Sequence, residues 1–510
     1  MNFTHGKSGS GLPRTVLRGA TALGVLGVLS GVTVVPAHAS APGTPKELAS
    51  FYGQKINWTA CRADKEAQCA SISVPLDYKN PKGEKISVTF SRLKATGKRR
   101  GVLFYNPGGP GGSGLKIPDN IRKSSLRGTY DLIGFDPRGT GESAPLYAPL
   151  DWAMATKPYV GSRPKLDGPG NVFDKQTAWA REYMGRIEKK NGGAARVKHF
   201  NTSNTARDMD VIRGLLNEKK INYLGYSYGT FLGAVYGSLY PARLDRSVLD
   251  SAVPPSGMGQ TYGELQSQDG LRTVAEWARW AGQRDRTFHL GTSRADVLDT
   301  VAKVSQKLGQ EGAQEFDATM TSDAHDISQW ADLAKMVGDR RDHPEKAAKK
   351  TAKNATGSAK EEWSVRSNEI VSSEWQWSSD PESYRAKARE MLNKHDYGRD
   401  MSAYLPTAST FRGFTPPEPP RITRRGYPTK GLVVQAGRDN RTPFAGGREM
   451  AKTLDDTLIT VKNAPDHEQY LSRDNAAVDK PVTDYLLNGT IPSGNPVVDG
   501  KKSYPDIPAD

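Results

Sequence analysis

The segment Gly225-Tyr226-Ser227-Tyr228-Gly229 has the form Gly-x-Ser-x-Gly, which can present a serine as a nucleophile. The short run 221–224 before it predicts a buried strand, and the apolar stretch 230–240 after it predicts a helix. At a sharp strand-to-helix turn the hydroxyl projects outward, and the flanking glycines let the two elements approach. Because a serine hydroxyl is a weak nucleophile at neutral pH, it needs a general base and a group that orients the base.

The base is expected at His467 and the orienting acid at Asp439. Of the eight histidines two lie before residue 40, and His467 alone follows Asp439. Asp439 comes directly after the apolar run 431–436, and His467 comes shortly after the run 458–461. Each side chain would therefore project from the carboxyl end of a strand. This order of serine, acid and histidine is the one that hydrolases with such a turn use.

Two other carboxylates compete for the role of the acid. Asp250 also ends a predicted strand, over 247–249, after the serine. Asp466 is adjacent to His467, but neighbouring residues direct their side chains apart. We favour Asp439 because its loop immediately precedes the strand that leads to the histidine, and Asp250 stays open as the alternative.

Attack on a carbonyl creates an oxyanion, which needs backbone N–H donors already in place. One donor is expected from Tyr228, the residue after the nucleophile. The other is expected from the glycine-rich run 106–114, where Pro107 and Pro110 have no N–H to offer. We predict Gly109, with Gly108 as the second choice. A linker or a phosphate cradle is the alternative, but no Gly-Lys-Ser/Thr follows the run.

Strands and helices alternate in the first half of the chain, which predicts a mostly parallel sheet with helices on both faces. Buried strands are expected at 101–105 and 130–135, and the alternating segment 85–93 suits the edge strand of an antiparallel hairpin. From 256 to 420 the sequence is rich in helix formers, charge and tryptophan, which predicts a helical lid. We therefore divide the chain into a core part at 40–255, a lid at 256–420 and a second core part at 421–510.

Residues 1–39 combine basic residues, an apolar run and a Pro36-Ala37-His38-Ala39 ending, which predicts a secretory signal cut after Ala39. The exported part contains both cysteines, so Cys61 and Cys69 are expected to form a structural disulfide rather than a metal site. No integral membrane association is expected.

The chain is basic, with a formal charge of +15, and removal of three basic residues with the signal leaves +12. No aromatic residues are interleaved with the basic segments, as a nucleic-acid groove would require. The charge is therefore expected to serve solubility and loose adhesion to an anionic cell surface, with no nucleic-acid partner.

With these pieces in place, the chain from Trp58 to Gly489 resembles the secreted tripeptidyl aminopeptidases of the α/β-hydrolase class, relatives of proline iminopeptidase. The resemblance rests on the Asp439 and His467 loops and on six further motifs: Val74–Tyr78, 106–114, Gly134–Ser143, Asn204–Asp208, 225–230 and Asp484–Gly489. Proline iminopeptidases have His-Gly-Gly-Pro-Gly where this chain has Pro107-Gly108-Gly109-Pro110-Gly111, which favours the tripeptidyl branch. The extra lid cysteines of many relatives are missing from this sequence.

The resemblance implies an α/β-hydrolase fold and a peptidase that releases tripeptides from free N-termini. It also implies that acidic lid residues bind the substrate's amino group. Our candidates are Glu374, which we favour, and Glu369, although a surface or salt-bridged glutamate is the commoner role.

The resulting hypothesis is a secreted serine exopeptidase that acts on peptide substrates without a metal or organic cofactor. Since the fold and the triad do not determine the leaving group, a secreted esterase or lipase is the first alternative. A catalytically inactive binding protein on the same scaffold is the second.

Overall fold

The computed structural model describes residues 45–62, 64–158, 160–161, 164–345, 368–394, 397–398, 400–423 and 430–510. The predicted signal, 1–39, lies outside these ranges. Within them, no helix is both long and apolar enough to cross a bilayer.

Ten strands form one sheet in the order β1-β2-β3-β5-β4-β6-β7-β8-β9-β10. The strands are β1 Thr59–Ala60, β2 Gln68–Pro75, β3 Lys85–Leu93, β4 Gly101–Asn106, β5 Tyr130–Phe135, β6 Ile221–Tyr226, β7 Leu244–Asp250, β8 Leu432–Ala436, β9 Thr457–Lys462 and β10 Val497–Asp499. The pairings from β1 to β5 are antiparallel, and those from β5 to β10 are parallel. The carboxyl ends of the parallel strands therefore meet at one edge of the sheet.

Helices connect these strands and extend over both faces of the sheet. The α-helices are α1 Ala49–Tyr52, α2 Asp119–Arg122, α3 Leu150–Thr156, α4 Val172–Lys190, α5 Ala194–Val197, α6 Thr202–Leu215, α7 Tyr228–Leu239, α8 Gln260–Gly282, α9 Asp285–Phe288, α10 Arg294–Lys307, α11 Gly309–Asp323, α12 Trp330–Asp342, α13 Pro381–Leu392, α14 Phe444–Leu454 and α15 Ala476–Asn488. Short 3₁₀ helices occupy Lys46–Leu48, Ser125–Gly128, Pro241–Arg243, Ile327–Gln329, Met401–Tyr404 and Ala408–Phe411. Residues 368–372 are also helical.

The central strands are buried on both faces, as the continuous apolar runs predict. In β4, Val102 and Phe104 belong to the hydrophobic cluster on one face, and Leu103 and Tyr105 belong to the cluster on the other. Because successive side chains of a strand alternate between faces, a strand with both sets buried must have helices on each side.

The prediction that residues 85–93 form an edge strand is wrong. The segment does form a hairpin with β2, but its second half also pairs with β5, so β3 lies inside the sheet. The alternating pattern arises at its first residues, where Lys85 and Ser87 are exposed, whereas Val88, Thr89 and Phe90 are all buried.

Between β7 and β8 the described residues form helices and no strand. This helical insertion has its own hydrophobic cluster, in which Trp277, Trp280 and Trp330 are buried. Trp280 and Trp330 pack edge to face, with ring centroids 5.8 Å apart. The insertion is therefore a packed layer of helices and not a loose loop. Its boundaries at 255/256 and 420/421 stay a prediction.

A buried ion pair joins the loop after β5 to α6. Arg138 and Asp208 make two hydrogen bonds of 2.6 and 2.7 Å, and both side chains are inaccessible to solvent. The guanidinium also donates to the carbonyl oxygens of Pro75, Leu76 and His199. The Gly134–Ser143 motif therefore has a structural role, because it holds three segments of the core together.

Replacing Arg138 with methionine is expected to lower the free energy of unfolding by about 3–5 kcal/mol, because it leaves the Asp208 carboxylate buried without its partner. Urea unfolding measures the loss. The matched control is Arg186→Met, which removes an exposed pair with Glu182 and should cost at most about 1 kcal/mol. Equal losses of unfolding free energy for the two variants would contradict the structural role of the buried Arg138–Asp208 pair.

The predicted disulfide is confirmed, since Cys61 is bonded to Cys69 across eight positions of the chain. Both cysteines are buried in a small cluster with Ala67 and Leu115. Leu115 directly follows the glycine-rich run 106–114, so the disulfide loop packs against the base of that run.

Reduction of this disulfide is expected to lower the free energy of unfolding by about 2.5 kcal/mol, the loop-closure term for a loop of this length. Thermal unfolding with and without a reductant measures the effect. A Cys61→Ala/Cys69→Ala variant should be as unstable as the reduced protein and should not respond to the reductant. A wild-type melting temperature that is unchanged after full reduction would contradict the prediction.

Candidate active site

Ser227 lies at the turn between β6 and α7, with φ 54° and ψ −128°. A positive φ is unfavourable for a residue with a side chain, and such strain is typical of a nucleophile held at a tight turn. The side chain at this point stands at the carboxyl edge of the sheet and at the amino end of a twelve-residue helix.

The glycines on either side of the turn are needed for close packing. A Cβ on Gly229 would lie 2.7 Å from the carbonyl oxygen of Asn106, at the end of β4. A Cβ on Gly225 would lie 2.5 Å from the carbonyl oxygen of Gly229. Any side chain at these two positions would push the nucleophile turn away from the sheet.

The structure brings together two of the three predicted triad residues. Nδ1 of His467 lies 2.8 Å from Oδ2 of Asp439, and the Asp439 side chain is completely buried. Asp439 Oδ1 accepts the N–H groups of Arg441 and Thr442, and Oδ2 also accepts the Thr442 hydroxyl. This fixed carboxylate holds the imidazole with Nε2 free to act as a base.

The turn at Ser227 is bonded to the end of β7 and to the loop that carries His467. Its N–H donates to the carbonyl oxygen of Asp250 at 3.0 Å. The hydroxyl of the preceding residue, Tyr226, donates to the carbonyl oxygen of Tyr470 at 2.9 Å. Among the described residues Ser227 Oγ itself makes no hydrogen bond with His467. Such bonds are often long in a free enzyme and tighten when substrate binds.

Asp250, the alternative acid, does not pair with the imidazole. Its carboxylate instead accepts the N–H groups of Gln469 and Tyr470, at 2.9 and 2.6 Å. Burial raises the pKa of Asp250 to about 7. Asp466, the third carboxylate considered, faces Arg473 at 3.5 Å.

The glycine-rich run lies against the nucleophile. A Cβ on Gly108 would be 2.9 Å from Cβ of Ser227 and 3.3 Å from the backbone nitrogen of Tyr228. The N–H of Gly108 already donates to Asn106 Oδ1, at 2.9 Å. The N–H of Gly109 has no acceptor in the described part of the chain, and that of Tyr228 opens a helix, where N–H groups lack a partner within the helix. The N–H groups of Gly109 and Tyr228 are thus available to an acceptor, whereas that of Gly108 is already used.

Glu374 is buried beside the nucleophile helix. Its side chain accepts the N–H of Thr202, at 2.8 Å, and the Thr202 hydroxyl, which also lies 2.7 Å from the hydroxyl of Tyr228. The next residue, Trp375, packs edge to face on Tyr228 and Phe231. Burial raises the pKa of the Glu374 carboxyl to about 8. No salt bridge to it is formed by any residue that the structure describes.

Glu369, the second candidate for amine recognition, is half-buried at the start of the same segment. Burial raises the pKa of its carboxyl, and the charge of Lys157 acts in the opposite direction. No hydrogen bond in the described ranges joins its carboxylate to Ser227 or Glu374.

Residues on both sides of Asp439 are fastened to the helical insertion, a feature the sequence did not indicate. The Arg438 guanidinium binds Glu276 Oε2, at 2.5 Å, and the carbonyl oxygens of Ala324 and His325. The carbonyl oxygen of Arg441 accepts hydrogen bonds from two residues of α8, Tyr262 and Gln266. An arginine before the acid was visible in the sequence, but its partners are more than a hundred residues away.

Known proteins that are similar to this chain identify its fold and its family. A family model described as the alpha/beta hydrolase fold matches residues 101–464, which confirms the predicted fold class. A tripeptidyl aminopeptidase of Streptomyces lividans is 32% identical over 93% of this chain and 96% of its own length. The serine protease Hip1 of Mycobacterium tuberculosis is 26% identical over 86% of this chain and 90% of its own.

A third relative, named carboxylesterase B, also comes from Mycobacterium tuberculosis and is 29% identical over 91% of this chain and 93% of its own length. The names of these relatives therefore include both peptidases and an esterase. The family model covers most of the chain, and the Streptomyces relative aligns with nearly all of it. This chain belongs to the α/β-hydrolase fold family and, within it, to the family of the Streptomyces tripeptidyl aminopeptidases.

Proposed function

We propose that this protein is a serine exopeptidase that releases tripeptides from the free N-termini of peptides. The observation that carries the proposal is the 2.8 Å pairing of His467 Nδ1 with the buried Asp439 carboxylate. The loop that carries His467 is bonded to the turn at Ser227 through the hydroxyl of Tyr226. The names of the two peptidase relatives favour a peptide substrate over other acyl compounds.

In this proposal Ser227 Oγ attacks the scissile carbonyl carbon while its proton passes to His467 Nε2. Asp439 keeps the imidazole in the required tautomer and stabilises its charged form. The N–H groups of Gly109 and Tyr228 bind the oxyanion of the tetrahedral intermediate. His467 then gives its proton to the leaving amine, and a water molecule activated by the same imidazole releases the acyl group and restores the serine.

Glu374 is proposed to bind the substrate's ammonium group. The two oxygens of a carboxylate offer about four lone-pair sites, and Thr202 donates only two hydrogen bonds to Glu374. Sites therefore remain for an ammonium group. A buried carboxyl with a raised pKa and no cationic partner gains such a partner when an ammonium ion binds. Recognition of the amine would explain an exopeptidase that requires a free N-terminus.

The leaving peptide is proposed to lie beside the histidine, because His467 must reach the leaving nitrogen to protonate it. A cavity of about 280 Å³ opens there, lined by Asn440, Arg441, Asp466, His467, Glu468 and Arg473. Its mixed charge fits a polar peptide better than a lipid chain.

A substrate panel tests the proposal. Free tripeptide p-nitroanilides should be hydrolysed, N-acetylated tripeptides and free dipeptides should be poor substrates, and Ser227→Ala should abolish turnover. The esterase relative makes carboxylester hydrolysis the second candidate. If p-nitrophenyl acyl esters are hydrolysed far faster than every peptide, with no effect of blocking the amine, the peptidase proposal fails and the esterase is favoured.

Export by the 1–39 signal also belongs to the proposal, together with loose adhesion to an anionic cell surface and the absence of a nucleic-acid partner. When the full chain is expressed in a secreting host, the culture medium should contain a protein whose first residue is Ser40. Retention of the full-length chain in the cells would contradict export.

A further inference from the structure

The loop that carries His467 is held by a buried side chain from another strand. The N–H groups of the second and third residues after it, Gln469 and Tyr470, both donate to Asp250 Oδ2. Asp250 is the last residue of β7, and it is completely inaccessible to solvent. A buried carboxylate is thus used to bind the backbone of a loop and not to bind a cation.

The neighbouring side chain completes this arrangement. Ser251 Oγ accepts the N–H of Glu468, at 2.8 Å, and donates to Asp250 Oδ1, at 3.2 Å. Three successive N–H groups directly after His467 are therefore bound by Asp250 and Ser251. Ser251 and Glu468 both have a positive φ, of 57° and 67°, so the loop adopts an unfavourable backbone shape that these bonds stabilise.

Asp250 also contacts the nucleophile, because its carbonyl oxygen accepts the N–H of Ser227. One residue is thus bonded to the backbone at Ser227 and, through its side chain, to the backbone after His467. We propose that Asp250 is a positioning residue that sets the distance between the Ser227 hydroxyl and the His467 imidazole, with Ser251 completing the hold on the loop. The inference rests on the proposed serine–histidine chemistry but not on the choice of peptide substrates.

The expected effect follows from the geometry. Asp250→Ala leaves the N–H groups of Gln469 and Tyr470 buried without an acceptor, so the loop shifts to find other partners. A shift of about 1 Å in a reacting group costs on the order of 100-fold in rate. Asp250→Asn keeps one side-chain oxygen that can accept both N–H groups, so this variant should lose no more than about tenfold in rate.

The experiment measures kcat, KM and the rate at which a serine-reactive phosphonate labels Ser227. For Asp250→Ala we expect kcat and the labelling rate to fall together by about 100-fold, with KM changed less than threefold. The downfield proton NMR signal of the His467 Nδ1–H, which reports the bond to Asp439, should weaken but persist. Ser251→Ala removes the acceptor of one of the three N–H groups, that of Glu468. It should show the same pattern to a smaller extent, and it serves as the test if Asp250→Ala does not fold.

The matched control is Asp456→Ala, which also removes a buried acceptor of a backbone N–H. Asp456 is also buried and accepts a backbone N–H, that of Gly431, but it lies at the opposite end of β9 from His467. It should lower stability without changing kcat or the labelling rate of the folded protein. If the phosphonate labels the wild-type protein, the proposed serine chemistry is present whatever the variants do. A failure of that chemistry can therefore be distinguished from a failure of this inference.

Two results would overturn the inference. One is a folded Asp250→Ala protein that is labelled at the wild-type rate. The other is an Asp250→Asn protein that loses about 10⁴-fold in kcat together with the Nδ1–H signal, because that loss is typical of the triad acid itself.

Discussion

Asp439→Asn is expected to lower kcat by about 10⁴-fold while the protein stays folded. The amide oxygen can keep the N–H bonds from Arg441 and Thr442, so the loop should hold its shape. The amide NH₂ group would then face His467 Nδ1, where the carboxylate oxygen now lies. A donor at that place favours the imidazole tautomer with a proton on Nε2, and that tautomer cannot accept the proton of Ser227.

Steady-state kinetics on a free tripeptide anilide, together with a melting curve, measure this effect. Asp484→Asn is the matched control, since it removes a carboxylate of α15 that pairs with Lys480 and does not line the cavity beside His467. Its kcat should stay within about threefold of wild type, because an exposed ion pair contributes little. A comparable loss in both variants, or activity above a tenth of wild type in Asp439→Asn, would refute the assignment of the acid.

Glu374→Gln is expected to lower kcat/KM for free tripeptides by about 100-fold, because it removes one partner of a buried charge pair. The rate with N-acetylated tripeptides should not change, since these substrates have no ammonium group to lose. Glu369→Gln is the matched control from the same segment and should cost less than about fivefold. The reverse order of effects would assign the amine to Glu369, and equal losses on free and blocked substrates would exclude both residues from amine recognition.

The raised pKa of Glu374 predicts a pH dependence of activity that differs between substrates. Binding needs the carboxylate, which forms as the pH rises through about 8 in the free protein. It also needs the ammonium form of the substrate, whose pKa is about 8. For free tripeptides kcat/KM should therefore peak near pH 8, and Glu374→Gln should remove the part of the rise that follows the Glu374 carboxyl.

The same group predicts the pH dependence of stability. Between its ordinary pKa and about 8 the folded protein keeps the proton on Glu374, whereas the unfolded chain releases it. The unfolded state therefore binds fewer protons in this window, and the contribution of Glu374 to the free energy of unfolding falls as the pH rises. The melting temperature of Glu374→Gln minus that of the wild type should be larger at pH 8 than at pH 5. An unchanged difference at the two pH values would contradict a buried, uncompensated carboxyl.

The residues of the proposed triad could be selected from the sequence because each follows an apolar run that must be a buried strand. In a parallel sheet the carboxyl ends of such strands share one edge, so local patterns around Ser227, Asp439 and His467 also imply their proximity. The glycine-rich run was predictable for the same reason, since it follows β4. The helix after Ser227 was predictable from its uninterrupted small and apolar residues.

The parts that could not be predicted depend on contacts between distant segments. Asp250 was recognised as a carboxylate at a strand end, but its partners are backbone N–H groups, which leave no mark in the sequence. The inner position of β3 depends on its pairing with β5, some forty residues away. The hydrogen bond from Arg438 to Glu276 joins two segments that are far apart in the sequence, and no local pattern predicts that they meet.

The two arginines that flank Asp439 limit how this enzyme can be engineered. Arg438 and Arg441 tie the turn that carries the acid to α8 and to the helices behind it. A chimera whose new helical layer lacks the partners of Arg438 and Arg441 would lose those ties and displace Asp439, even if every residue at the sheet edge were unchanged. A functional transplant would therefore have to carry residues 437–443 together with the donor helices.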